Sequence, residues 1–274
     1  MRRIHWALLV VALLVVVAWL LWPKGPSAVG PGNAPAPGEV AGPGGAIGAP
    51  PADSDTPTVK IKLLGVAIIN WLDGMARGKV TSRPPGAGPP ATSSLPPEQR
   101  LSWVSQLLPY IGRADLSGQL HGAAITGEDI PWDDPKNRPV VDTVLDLLIT
   151  PEMQSRSLTR DGDGRALAGY VGVGGVGPDA PTSPPDAGSK TRGLFSYARP
   201  ARLEEVKDGL SNTAAVFEVR RDFGPWARNG AATVRPIEAF EGGLVLMADG
   251  SVRSLPAKAD PKVLRSMATI AAGD

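Results

Sequence analysis

The stretch Gly243-Leu244-Val245-Leu246-Met247-Ala248-Asp249-Gly250-Ser251-Val252-Arg253-Ser254-Leu255 decides the fold, because it spells a β-hairpin. Two largely apolar runs flank Asp249-Gly250, a dipeptide that supplies positive φ where a type I′ turn needs it. A two-residue loop there pairs Met247 with Val252 and Leu244 with Leu255 across the strands. Upstream, Ser211 to Arg220 carries Val216, Phe217 and Val219 after an Asp-Gly turn and predicts another strand. Downstream, Asp260-Pro261 caps a closing helix, with proline in its first turn and Val263, Leu264, Met267 and Ile270 on one face.

Towards the N-terminus, Val59 to Leu72 (VKIKLLGVAIINWL) is apolar almost all round, which predicts a helix buried on most of its surface. Asp73-Gly74 and Gly78 weaken or end it. A Pro/Gly/Ser stretch from Arg83 to Pro97 reads as a long surface loop. Helix and hairpins together give an α+β domain over residues 58–274, long enough for a real core.

Two segments precede that domain. Residues 23–57 hold 9 prolines and 8 glycines in 35 positions, too little apolar surface to offset ordering entropy, so a disordered tether is expected. Before it, Trp6 to Trp22 runs 17 residues without a charge. As a helix that run is roughly 26 Å long, close to a bilayer core of about 30 Å. Arg2 and Arg3 precede it, and Lys24 is the only positive charge after it until Lys60. The positive-inside rule therefore puts the N-terminus in the cytoplasm and the domain outside. Trp6, Trp19 and Trp22 suit the interfacial belts. A cleaved signal peptide is the competing reading, but Leu20-Leu21-Trp22-Pro23 stands where a small-x-small site should follow. Residues 1–22 are thus expected to form a cytoplasmic tip and a single-pass transmembrane anchor, with membrane lipid as partner of residues 6–22.

Composition narrows the chemistry. The chain has no cysteine, which excludes disulfides, thiolate catalysis and Cys-ligated zinc or iron–sulfur centres. A formal net charge of +1 and the lack of a basic run beyond Arg2-Arg3 argue against nucleic acid as a partner. The two histidines are His5, at the membrane edge, and His121, which stands beside no nucleophile elbow.

A set of landmarks in fixed order carries a family resemblance. Lys62 to Ala67 with Asn70-Trp71 resembles the LKQIGLALHNY segment of a large planctomycete family, domain of unknown function 1559. The order continues with Ser102-Trp103 and Leu107 to Tyr110, Pro131 to Pro135 with Asn137-Arg138, and Tyr170 to Gly172. Asp208 to Thr213, Glu218-Val219, Ala232 to Pro236, Ala248 to Arg253 and Asp260-Pro261 complete it. The resemblance implies a prepilin-like protein of a bacterial cell membrane: a membrane-spanning helix, then a pilin-like helix packed on an antiparallel β-sheet domain, with no catalytic activity established. This chain lacks the family's Gly-Phe-Thr-Leu-Ile-Glu signature, so prepilin processing is not carried over. It also lacks the histidine of the family's His-x9-Asp-Gly motif, with Phe240 lying nearest, so that residue's role is not carried over either.

Other motifs are weighed against plainer readings. Gly172-Val173-Gly174-Gly175-Val176-Gly177 matches G-x-G-x-x-G, but prolines follow where a dinucleotide site needs a helix, so a loop is expected. Asp161-Gly162-Asp163-Gly164 hints at a calcium loop, yet Arg165 and Gly172 occupy ligand positions, and an Asp/Gly turn fits better. Asp133-Asp134 are expected to cap local amides rather than bind a cation. Glu204, Glu205, Glu218, Glu238 and Glu241 offer acids for a carboxylate-dependent hydrolase, with nothing selecting two of them. No cofactor, metal ligand or catalytic residue is assigned. Trp103, Tyr110, Trp132 and Trp226 are the ligand-binding candidates, although aromatic residues so few in a domain more often serve its core. The expectation is a non-enzymatic, pilin-like envelope protein for surface self-assembly or interaction with an envelope partner; the alternative is a solute- or glycan-binding module.

Overall fold

The structure, a computed structural model, describes residues 56–76, 93–123, 125–182, 190–198 and 201–271. Contacts divide the chain into Met1–Ala49 and Pro50–Asp274, and every described residue belongs to the second unit. The expected anchor over residues 6–22, and the expected tether up to residue 55, lie outside the described residues. Among the described residues no helix is long and apolar enough to cross a membrane.

Helix α1 spans Pro57–Ala76. Proline occupies its first position, and the Thr56 carbonyl accepts from the amides of Val59 and Lys60, closing the first turn. Ile61, Leu64, Ala67, Ile68, Trp71 and Leu72 are buried on one broad face. The expectation of burial nearly all round is corrected, because Leu63 and Val66 are 50% and 55% exposed. Asp73-Gly74 does not end the helix, which runs on to Ala76. A single internal glycine costs only about 1 kcal/mol against alanine, less than the packing of the face before it contributes.

Seven strands follow: β1 (Leu167–Ala168), β2 (Tyr170–Val173), β3 (Ala214–Glu218), β4 (Gly224–Pro225), β5 (Val234–Arg235), β6 (Gly243–Met247) and β7 (Val252–Leu255). Five make the main sheet in the order β5-β2-β3-β6-β7, while β1 and β4 form a separate antiparallel pair. The α+β class holds. The sheet is mixed rather than wholly antiparallel, because β5 runs parallel to β2.

The hairpin is present one residue out of the expected register. Leu246 pairs with Val252 and Gly243 with Leu255. A type I′ turn needs positive φ at two consecutive residues, but here Gly250 alone has it, at 85°. The Gly250 amide donates to the Met247 carbonyl and the Met247 amide to the Ser251 carbonyl. This is a three-residue loop closed by a glycine bulge, and the Asp249 carboxylate caps the Ser251 amide at 2.9 Å.

Both faces of the sheet are covered. Val216 and Leu246 pack towards α1, whereas Val171, Phe217, Val245 and Met247 face the other way. There they meet Phe240, Met267 and Ala268, the last two on helix α2 (Pro261–Ala268). Asp260 caps α2 by accepting from the Lys262 amide at 2.8 Å, as its position predicts. Val263, expected on the packed face, is 50% exposed, and Ile270 is buried beyond the helix end. A register shift between Ala214 and Val216 makes Ala215 an extra residue in β3. Ala215 and Val216 consequently both face α1.

Candidate functional site

The sequence candidates separate at once. Trp103 and Trp226 are fully buried. The Trp103 indole donates to the Thr233 carbonyl at 2.9 Å and its ring lies 4.9 Å from that of Phe195. The Trp226 indole donates to the Thr143 carbonyl at 2.9 Å. Both are core residues whose polar ends are satisfied, so the expectation that they bind a ligand is corrected. Tyr110 is half-buried against the same core. Of the four, Trp132 lines a sizeable concavity.

That concavity is a trough built around β4. The Leu101 segment pairs antiparallel with Arg228, the Ser102 amide donates to the Ala227 carbonyl, and the Asn229 amide donates to the Arg100 carbonyl. This alignment sets Glu98 beside the Arg228 turn. The Trp132 amide donates to the Gln99 carbonyl, bringing the Pro131–Asp133 turn in as a second wall. Asn137, fully buried, holds that wall: its Oδ1 accepts from the His121 amide at 2.8 Å, and its Nδ2 donates to the carbonyls of His121 and Pro131. The Asp161 turn forms the far end, where Asp161 Oδ1 accepts from the amides of Asp163 and Arg165. That is the Asp/Gly turn expected in place of a calcium loop, and among the described residues no cluster of metal-ligating side chains occurs.

The trough has two lobes. The larger, about 790 Å³, is lined by Trp132, Asp133, Arg138, Asp163, Arg165 and neighbours. The smaller, about 530 Å³, is lined by Tyr197, Asp222, Phe223, Asn229, Arg235 and neighbours. Glu98, Pro225 and Arg228 line both, so the lobes are neighbours on either side of these residues.

Two arginines of the lining are fixed. Arg165 is 8% exposed, pairs with Asp142 at 2.9 Å and lies 5.6 Å from the Trp132 ring centre. Its hydrogen bond to the Asp142 carboxylate outweighs burial and raises its pKa. Arg235 donates to the carbonyls of Ala231 and Asp222, and burial lowers its pKa. By contrast, the side chains of Glu98, Asp133, Asp163, Arg138 and Arg228 make no hydrogen bond or ion pair with the described residues, and all five are exposed. Of the Asp133-Asp134 pair, Asp134 accepts from the Lys136 amide at 2.9 Å, as capping predicts, and Asp133 faces the trough.

Four of the five acids singled out in the sequence are engaged elsewhere, while Glu204 is exposed with no side-chain hydrogen bond or ion pair among the described residues. Glu205 accepts from the Arg202 amide, Glu238 from the Gly177 amide, and Glu241 pairs with Arg221. Glu218, 6% exposed, accepts from the Leu244 amide at 3.1 Å, and burial raises its pKa. His121 lies 3.6 Å from Glu128 at the surface. The glycine-rich run opens with strand β2 and serves packing: Gly175, at φ 114°, is crossed by the Thr191–Gly193 backbone so closely that no Cβ fits.

The architecture is thus an α+β domain bearing an open, charge-lined trough on its smaller sheet. A family model described as a protein of unknown function (DUF1559) matches residues 59–239, and the chain belongs to that family. The matched stretch takes in all but the first two residues of α1 and the whole trough lining; β6, β7 and α2 lie beyond it. No curated protein and no solved structure shows significant similarity to the chain.

Proposed function

We propose that this protein is a membrane-anchored, non-enzymatic envelope protein that presents its domain for surface interaction, with the trough as its interacting site. Residues 6–22 supply the anchor, the segment from residue 23 up to the start of α1 the tether, and the N-terminus stays in the cytoplasm of a bacterial cell. One observation carries the interaction: exposed guanidinium and carboxylate groups line a single concavity and are not engaged with one another. Charged side chains so held are available to an incoming ligand. The non-enzymatic reading draws support from four of the five acids singled out in the sequence, since Glu205, Glu218, Glu238 and Glu241 are each tied to a backbone amide or an arginine.

A pilin-like self-assembly is the second reading. It is favoured by the outer face of α1, where Leu63 and Val66 are 50% and 55% exposed, and by the outer edge of β7. Fractionation with surface proteolysis tests the anchored arrangement. The chain should pellet with membranes, resist salt and carbonate, dissolve in detergent, and lose its domain to protease added outside spheroplasts. Recovery of the intact chain in a soluble fraction, or a domain shielded until lysis, overturns it.

A further inference from the structure

We infer that the trough takes a neutral oligosaccharide, a polyhydroxylated chain spanning both lobes across the saddle formed by Glu98, Pro225 and Arg228. The inference rests on the trough being the interacting site. The shape comes first: two lobes of about 790 and about 530 Å³ sharing one saddle suit an extended ligand of at least two units rather than a single compact solute.

The lining chemistry selects the class. Glu98 and Arg228 flank the same saddle without pairing, and unpaired groups of both signs continue outward. A ligand with a net charge leaves lining groups of its own sign facing it with nothing to neutralise them. Hydroxyls act as donors to carboxylates and acceptors from guanidiniums, so a neutral sugar chain satisfies both signs at once. Aromatic surface is provided in the smaller lobe by Tyr197 and Phe223, each half-buried, on which the apolar face of a sugar ring can lie.

Asn229 adds an independent observation. Its side chain is fully buried and lines the smaller lobe. Its Nδ2 donates to the Tyr197 carbonyl at 3.0 Å, which fixes the amide orientation and leaves Oδ1 as an acceptor without a donor. A buried acceptor left without a donor costs about 1–3 kcal/mol, and an O–H or N–H that reached Oδ1 from the lobe would offset that cost. The Tyr197 hydroxyl is a neutral partner at ordinary pH, and burial raises its pKa further.

The test uses the full-length chain in lipid nanodiscs on an array of neutral oligosaccharides from disaccharide to hexasaccharide, uronate-bearing oligosaccharides and short soluble peptides, with calorimetry on the hits. The expected result is binding of neutral oligosaccharides, longer than disaccharides preferred, weakened about tenfold or more by Arg228→Gln and by Glu98→Gln. Both side chains are exposed, so thermal unfolding should not move, and a loss of binding then reports the site rather than the fold. Preference for peptides or uronates, still lost in Arg228→Gln, overturns the ligand class and leaves the trough standing. Neutral sugars bound equally by both variants overturn the site. Binding to nothing on the array overturns the proposal; the interaction reading is decided separately, by whether the trough captures anything in the native envelope.

Discussion

Gly65 of α1 lies over Leu246 of β6 so closely that a Cβ at position 65 would stand 2.7 Å from Leu246 Cδ1. The helix approaches the sheet so closely at this point that any side chain at residue 65 would have to displace the end of Leu246. Gly65→Val should destabilise the domain by about 1–3 kcal/mol through overpacking. Gly65→Ala should stay within about 1 kcal/mol of the parent, since better helix propensity offsets a small shift of the leucine. Combining Gly65→Val with Leu246→Ala should recover part of the loss. Denaturant unfolding of the parent, these three variants and Leu246→Ala alone checks this, and strict additivity of Gly65→Val and Leu246→Ala contradicts the contact.

Gly250 carries a second constraint from the same helix. Its φ of 85° disfavours other residues, and a Cβ there would meet Ile69 Cδ1 at 2.7 Å. Gly250→Val should cost about 2 kcal/mol or more, and Gly250→Asn less, because asparagine tolerates the left-handed region better. Equal stability of the two variants in thermal unfolding contradicts the assigned turn.

The hairpin also marks the limit of reading strands from sequence. Its existence follows from Leu244 to Leu255, but its register depends on whether Asp249 and Gly250 both adopt positive φ or Gly250 alone does. Three backbone contacts outside the hairpin bear on that choice: Ala248 donates to Thr213, Asp249 to Leu210, and Gly250 packs on Ile69. Tertiary contacts thus decided between two turns that local propensity leaves equal. The parallel pairing of β5 with β2 was illegible for a similar reason, since two residues carry no periodicity.

Asn137 supports the trough wall from behind. Asn137→Ala removes three hydrogen bonds from a buried position and should cost about 2–3 kcal/mol, measured by denaturant unfolding. It should also weaken binding in the larger lobe, because the Pro131–Asp133 turn loses its attachment. Unchanged stability contradicts the role given to this side chain.

Glu218 makes stability depend on pH. Burial outweighs its hydrogen bond from Leu244 and raises its pKa above the ordinary 4.5. The folded state therefore holds a proton that the unfolded state has released as pH rises from about 4.5 towards the folded value, so stability falls across that window and levels off above it. Glu218→Gln cannot ionise, and its stability relative to the parent should rise over the same window. Melting temperatures of both proteins between acid and neutral pH check the sign. A parent that gains on the variant as pH rises contradicts it.

The trough was less legible than the fold. Trp132 and Arg138 stand in the Pro131–Arg138 landmark, and the buried Asn137 explains why that landmark is structural. Trp103 and Trp226 gave the same kind of signal and proved to be core, because an indole that reaches a buried carbonyl cannot be told in sequence from one that faces a ligand. Glu98, Arg228 and Asn229 come together through the pairing of residues 100–102 with 227–229, a contact between segments far apart in the chain. No local pattern announces it.

Photo-cross-linking in the native envelope tests the central claim most directly, with a photoreactive residue placed at position 228 in one strain and at position 66 in another. The account predicts adducts of the chain with another envelope component from position 228, absent from position 66. A ladder of multiples of this chain from position 66, with nothing captured from position 228, contradicts it and makes self-assembly through the outer face of α1 the function.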